Sequence, residues 1–271
     1  MSVAEPLPLL DLRIDPDAIV DGYPFDVPAI RNLTQLHFDT AVTLFVGENG
    51  TGKSTLLEAI ALAADLPSAG TTELARDGSL DPVRPLAAAL CLGWSARLRR
   101  GCFFRAEDFL GFVRRVEATR AELRSAAELV AIDKAAQGEG EVRRAQGPYT
   151  GQIAALTARH GEDAEGRSHG ESFLSFFHAR LRRRGLFVLD EAEAALSPLR
   201  QLAFLALLRE AERAGAQVLM ATHAPIVLAY PDATILSFDG GRVERVAFDD
   251  LEHVRLMRAV LADPEAFTHR F

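Results

Sequence analysis

Apolar positions in this chain fall into short continuous runs set between longer stretches of helical spacing, the alternation expected of an α/β protein. Val42–Val46 (VTLFV), Leu186–Leu189 (LFVL) and Gln217–Ala221 (QVLMA) are apolar with little interruption. Runs of this kind predict strands covered on both faces, as in a central parallel sheet. Residues 7–14 (LPLLDLRI) and 33–38 (LTQLHF) predict N-terminal antiparallel strands, joined through the turn-forming segment Asp21-Gly22-Tyr23-Pro24-Phe25. Helical spacing runs from Lys53 to Ala64 before Pro67, over 199–213 with a stop at Gly215, and over 250–261. Residues 233–238 and 242–248, joined through Asp239-Gly240-Gly241, predict a closing hairpin.

Other stretches break this alternation. Residues 65–85 are rich in Ser, Gly, Thr, Asp and Pro without a period and predict an irregular excursion. From 103 to 136 the spacing predicts a helix with Phe109, Phe112, Val113 and Val116 on one face. Its Arg114, Arg115, Arg120 and Arg124 are interleaved with Glu107, Glu117, Glu122 and Glu128, the composition of a solvated side. Residues 137–151 (QGEGEVRRAQGPYTG) predict a mobile glycine-rich break. Heptads are not sustained, so no long coiled-coil arm is expected. Residues 167–172 (RSHGES) predict a polar turn opening an amphipathic helix that carries Phe173, Phe176, Phe177 and Leu181. A single domain over 1–271 is expected, with a helical insert and its flanking polar turn at about 95–180.

Composition narrows the class. A chain of 271 residues with 48% hydrophobic and 25% charged content has ample core for a globular fold. The net charge of −8 argues against a surface coated with positive charge for nucleic acid, though a local basic face is compatible with it. Cys91 and Cys102 have no His or Cys companions at ligand spacing, which excludes a disulfide framework or zinc site and predicts two buried thiols in a reducing compartment. The N-terminal MSVAEPLPLLDL lacks the charge and apolar core of a signal peptide. The most apolar window, residues 85–94, is about half the length of a membrane span. These features predict a cytoplasmic protein.

The chemistry begins between the first central strand and its helix. Gly47-Glu48-Asn49-Gly50-Thr51-Gly52-Lys53-Ser54-Thr55 follows an apolar strand and opens a helix, the context in which G-x-x-x-x-G-K-S cradles phosphates. The glycines let successive N–H groups line a concavity at a helix N-terminus. Lys53 is the candidate for the β/γ-phosphates, and the Ser54 hydroxyl is the candidate for Mg2+. A plain strand-to-helix turn would not require the Lys-Ser pair. Tyr23 and Phe25 are placed either to stack on an adenine ring or to anchor their turn, and Phe25 is the stacking candidate. The strand Leu186–Leu189 ends in Asp190-Glu191, which predicts a carboxylate for Mg2+ and, on the other side of the chain, a carboxylate to polarise an attacking water. The alternative is that both acids cap the next helix. The strand ending at Ala221 is followed by Thr222-His223, and a histidine there is suited to contact a γ-phosphate or its water. No N-K-x-D-like segment is present to read guanine.

Taken together, these segments resemble the ABC-type ATPases. GENGTGKST corresponds to Walker A, SHGES to the signature loop, LFVLDE to Walker B, AALS to the D-loop and ATH to the switch-histidine loop, in that order over 42–223. More narrowly, the chain is similar to soluble bacterial ATPases labelled AAA-family, which share this fold with recombination and chromosome-structure ATPases. The resemblance implies a P-loop α/β fold of ABC type that binds ATP and Mg2+. It implies Lys53 and Ser54 on phosphates and metal, Asp190 on Mg2+, Glu191 as general base and His223 as γ-phosphate sensor. It also implies an ATP-dependent homodimer in which Ser168 and Gly170 cover the nucleotide held by the partner's P-loop.

Departures from the pattern shape the functional expectation. SHGES differs from the LSGGQ of transporter subunits, and Ser197 stands where the D-loop usually has Asp. No Q-loop glutamine lies between the P-loop and the signature; Phe103-Phe104-Arg105-Ala106-Glu107 occupies its place, with Arg105 or Glu107 in its role. Transporter subunits grip a membrane partner with this region. The expected function is therefore a soluble ATP-driven dimerisation switch in DNA maintenance or defence, with DNA or protein as partner; the alternative is the ATP-binding subunit of a membrane transporter.

Overall fold

In the computed structural model, residues 6–68, 73–95, 100–160, 169–194 and 196–268 are described. The chain runs through β1 (Leu9–Ile14), α1 (Pro28–Arg31), β2 (Gln35–His37), β3 (Val42–Val46), α2 (Lys53–Ala63), α3 (Arg84–Ala89), β4 (Leu90–Trp94) and β5 (Gly101–Arg105). Then come α4 (Ala106–Lys134), α5 (Glu139–His160), α6 (His169–Arg180), β6 (Gly185–Asp190), α7 (Pro198–Arg213) and β7 (Ala216–Ala221). It closes with α8 (Pro225–Leu228), β8 (Thr234–Ser237), β9 (Glu244–Val246), α9 (Glu252–Ala262) and α10 (Pro264–Thr268).

Nine strands form two sheets among the described residues. The larger has the order β5-β6-β7-β3-β8-β9, parallel except for the antiparallel edge pair β8–β9. The smaller is antiparallel, β2-β1-β4. The period of two along each central strand sends alternate side chains to two separate cores. Phe45, Phe103, Leu186, Val188, Leu219 and Ala221 face α2, α3 and the small sheet. Leu44, Cys102, Phe104, Phe187, Leu189, Val218 and Met220 face α6 and α7. On that second face, Phe173, Phe176 and Phe177 from α6 surround Phe104, with ring centroids 4.8–5.8 Å apart, largely edge to face or tilted. The helical spacing of α6 thus seats the segment after the candidate signature turn onto the sheet.

Buried Gln217 ties the two sheets together. Its side chain accepts from Leu9 N and donates to Leu9 O, both at 2.8 Å, so an amide on β7 completes the backbone bonding of β1.

Several expectations are corrected. Residues 101–105 are not helical: they are β5, paired in parallel with β6, and Phe103 and Phe104 point into opposite cores. The expected break at 137–151 is mostly helix; only Gly138, at φ 97°, interrupts the path before α5 begins. α4, 29 residues long, and α5, 22 residues long, pack against each other as a helical hairpin between β5 and α6. The chain thus carries a long helical hairpin without sustained heptads, because packing along α4 stabilises a segment, α5, of poor intrinsic propensity. Residues 84–94 form α3 and β4, so the apolar window supplies the third strand of the small sheet. Cys102 is buried as expected, but Cys91 on β4 is exposed. Among the described residues, no helix is long and apolar enough to cross a membrane.

Candidate functional site

The site is assembled where β3, β6 and β7 end side by side, at the carboxyl edge of the large sheet. β3 leads into a loop in which Gly47 has φ 143° and Gly52 has φ 102°. A Cβ on Gly47 would lie 3.0 Å from Asp239 Oδ1, and one on Gly52 would lie 2.9 Å from Val27 Cγ1. The loop is thus held both by its dihedrals and by the segments packed against it.

Lys53 is buried at the start of α2 and donates to Gly47 O at 2.6 Å and to Glu48 O at 2.8 Å. Burial lowers its pKa, opposed by the charges of Glu191, Asp239 and Asp190. Thr51 Oγ1 also donates to Glu48 O, at 2.8 Å, while Asn49 and Gly50 form the exposed tip. Ser54 Oγ donates to Asp190 Oδ1 at 3.1 Å, so the two side chains expected to hold a metal meet directly. Burial pushes the Asp190 carboxyl up to about 6, in spite of Ser54 and Lys53. A buried carboxylate with this penalty is suited to a cation. No group of three or more His, Cys, Asp or Glu among the described residues could hold a metal alone. One hydroxyl and one carboxylate fit Mg2+, which keeps waters and takes phosphate oxygens as its remaining ligands.

Glu191 follows in the left-handed region at φ 48°, and its N–H donates to Ala221 O at 3.1 Å. The adjoining strand delivers His223, whose Nε2 lies 3.8 Å from Glu191 Oε1. Burial lowers the His223 pKa first and the nearby Lys53 ammonium second, which favours neutral imidazole. Lys53, Ser54, Asp190, Glu191 and His223 therefore surround one end of the sheet. A carboxylate, a neutral imidazole and an ammonium there can orient a water against a bound phosphate.

The other candidates are placed differently. Phe25 is 3% exposed and packs in the core facing α2, so its ring cannot stack on a nucleotide base. Tyr23, 49% exposed, is the aromatic of that turn that reaches the loop helix: its hydroxyl bonds with Thr55 Oγ1 at 3.0 Å. Ser168 lies outside the described residues, and Gly170 belongs to the first turn of α6. Arg105 is buried between Asp77, at 2.7 Å, and Glu58 of α2, at 3.3 Å, with Glu107 at 3.6 Å. These partners engage its guanidinium in a structural network; exposed Glu107 keeps the more open place at the end of β5.

Two acidic residues escaped the sequence reading. Asp239, after β8, accepts from Glu48 N at 2.9 Å and so holds the amide end of the loop. It also lines an open cleft of ≈ 720 Å³ with Gly47–Thr51, His223, His253 and Leu256. Glu193, two residues beyond the candidate base, is buried and accepts from both Thr222 Oγ1 and His223 N. The available signal for Glu193 was one charge among alanines in Glu-Ala-Glu-Ala-Ala; for Asp239 it was a strand end next to a glycine pair.

A family profile described as an AAA domain matches residues 25–73, the span from the Tyr23 turn through α2. No curated protein matches the chain. Among solved structures, the chain is similar to cbiO1 from Clostridium perfringens, part of the ABC transporter complex cbiONQ. That match has 16% identity over 96% of this chain and 97% of that one, with a TM-score of 0.48. It is also similar to the Smc head domain with an extended coiled coil, bound to the C-terminal domain of ScpA, from Pyrococcus furiosus. There the identity is 14%, the coverage 96% and 99%, and the TM-score 0.44. The phosphate loop at the end of β3, the acids ending β6, the histidine after β7 and the largely parallel order of the large sheet give this chain a P-loop α/β fold.

Proposed function

We propose that this chain binds ATP with Mg2+ and hydrolyses it, closing as a homodimer around two nucleotides and opening after hydrolysis. The observation that carries this reading is the convergence of Lys53, Ser54, Asp190, Glu191 and His223 from three neighbouring strand ends. The loop amides and Lys53 bind the phosphates, and Ser54 and Asp190 would hold Mg2+, which would supply charge neutralisation on the phosphate oxygens. Glu191 accepts a proton from the attacking water as it meets the γ-phosphorus in line with the leaving oxygen. His223 orients that water and donates to the transferred group. Catalysis comes mainly from positioning and fixed charge.

Ser168 and Gly170 of one copy complete the site of the other in this proposal. The whole chain acts as one cytoplasmic unit with the helical insert as part of it, and the dimer serves DNA maintenance or defence. The deciding experiment measures the mass in solution of Glu191→Gln with and without Mg·ATP, beside phosphate release by the unaltered protein. Doubling of mass on adding Mg·ATP, with phosphate release by the unaltered chain, is the expected result. A monomer under both conditions overturns the homodimer, and absence of phosphate release in the presence and absence of DNA overturns the hydrolytic reading.

A further inference from the structure

Glu193 is a buried carboxylate that the hydrolytic chemistry described above does not use. It lies in the turn that follows β6, closed by Ala194 N donating to Glu191 O at 2.9 Å and Leu196 N donating to Glu193 O at 2.8 Å. The turn folds its side chain across to the neighbouring strand end. There Oε1 receives the Thr222 hydroxyl and, at 3.2 Å, the His223 N–H. Thr222 Oγ1 in turn accepts from Ala224 N at 3.1 Å, and Thr222 N donates to Phe45 O at 3.1 Å. A single carboxylate oxygen therefore links the loop carrying Glu191 to the loop carrying His223, and through Thr222 to the strand that feeds the phosphate loop. The other oxygen, Oε2, is buried without a hydrogen-bond partner among the described residues.

We propose that Glu193 is a positioning residue that fixes His223 relative to Glu191. The inference rests on the ATPase reading for its catalytic consequence, but not for its geometry. Glu191 and His223 are each about half exposed, and they stand 3.8 Å apart without a direct hydrogen bond. Their own contact therefore does not hold them in register. Two buried connections do: Glu191 N to Ala221 O, and the Glu193 carboxylate to the Thr222-His223 segment. The first fixes one backbone against the other at the ends of β6 and β7. The second fixes the first two residues past the end of β7, adding to the bond from Thr222 N to Phe45 O and supplying the one that holds His223 N. The requirement on residue 193 is an acceptor at Oε1, not a negative charge. Burial raises the carboxyl pKa above its ordinary value, in keeping with a site where an uncharged group of the same shape will serve.

The test compares Glu193→Ala, Glu193→Gln and Thr222→Val in the full chain. Phosphate release, nucleotide affinity, thermal midpoint and the imidazole resonances of His223 in nucleotide-free protein are followed, with the resonances assigned by loss in His223→Asn. Glu193→Ala should cut turnover by at least about thirtyfold while changing ATP affinity less than about threefold, and should move or broaden the His223 signals. Glu193→Gln should keep turnover and resonances within about threefold and near their original positions. If Glu193→Ala does not fold, Thr222→Val carries the test, since it removes one of the two donors, together with the acceptor of Ala224 N, and leaves the carboxylate in place. It should displace the His223 signals and lower turnover without loss of ATP affinity. Unchanged His223 signals in Glu193→Ala or, where that variant does not fold, in Thr222→Val, or a Gln variant as impaired as Ala, would overturn the proposal. Absence of phosphate release by the unaltered chain would fail the ATPase reading alone, because the resonances still decide whether Glu193 positions His223.

Discussion

His223 Nε2 and Glu191 Oε1 stand 3.8 Å apart, too far for a hydrogen bond and close enough for one water to touch both. The gap gives the two residues a shared task rather than separate ones. Glu191→Gln is expected to lower turnover by about 10²–10⁴-fold, the range of a lost general base, and His223→Ala by about tenfold or more. If the two act on one water, as proposed, the double variant loses no more than Glu191→Gln alone. Single-turnover phosphate release on the three variants checks this, and fully additive losses would separate the residues.

Lys53 donates to Gly47 O and Glu48 O, inside the curve of its own loop. ATP phosphates are better partners for the ammonium than two carbonyls. Lys53→Ala should therefore weaken ATP binding by at least about a hundredfold, or about 2.7 kcal/mol, with little change in thermal midpoint. Calorimetric titration with ATP measures it, and unchanged affinity would remove the loop from the binding site.

Glu58, one turn beyond Ser54, is paired with Arg105, yet burial outweighs that pairing and pushes its carboxyl up to about 7 from the ordinary 4.5. A raised carboxyl pKa means that the folded chain holds the proton more tightly than the unfolded one. The stability effect of Glu58 is therefore favourable at low pH and lost as pH climbs from about 4.5 to about 7, at up to about 1.4 kcal/mol per unit. Urea unfolding at pH 5, 6, 7 and 8 should show a steeper fall for the unaltered chain than for Glu58→Gln. Comparing the two chains removes the contribution of Asp190, which shifts in the same direction.

Gln217→Leu retains bulk but leaves Leu9 N and Leu9 O without partners between the sheets. At about 1–3 kcal/mol for each buried group left unsatisfied, a loss of about 2–6 kcal/mol is expected. Denaturant unfolding measures it, and a loss under about 0.5 kcal/mol would show that the small sheet does not depend on this amide.

What could be read from sequence followed a physical rule. Val42–Val46, Leu186–Leu189 and the glycine loop carry their environment in their composition, because strands covered on both faces must be apolar and a loop with positive φ needs glycine. Phe103 and Phe104 misled because a short apolar run next to a helical pattern fits either period; only pairing with β6 decides it. Gly140, Gly147, Pro148 and Gly151 disguised α5, whose helicity depends on packing with α4 rather than on its own residues. Phe25 shows the limit from the other side, since an aromatic in a turn does not reveal whether its ring faces solvent or core. Glu193 required knowledge of which strand neighbours which, and that is a property of the topology.

The hairpin of α4 and α5 leaves the sheet directly after Arg105, whose register partner is Asp190, and α5 packs on α6, the helix seated against Phe104. At 1.5 Å per residue α4 spans about 43 Å. Turned as a rigid rod about its base, its far end would sweep about 7.5 Å for every 10° of rotation. A load applied at the far end acts with leverage on the edge of the sheet that carries Asp190.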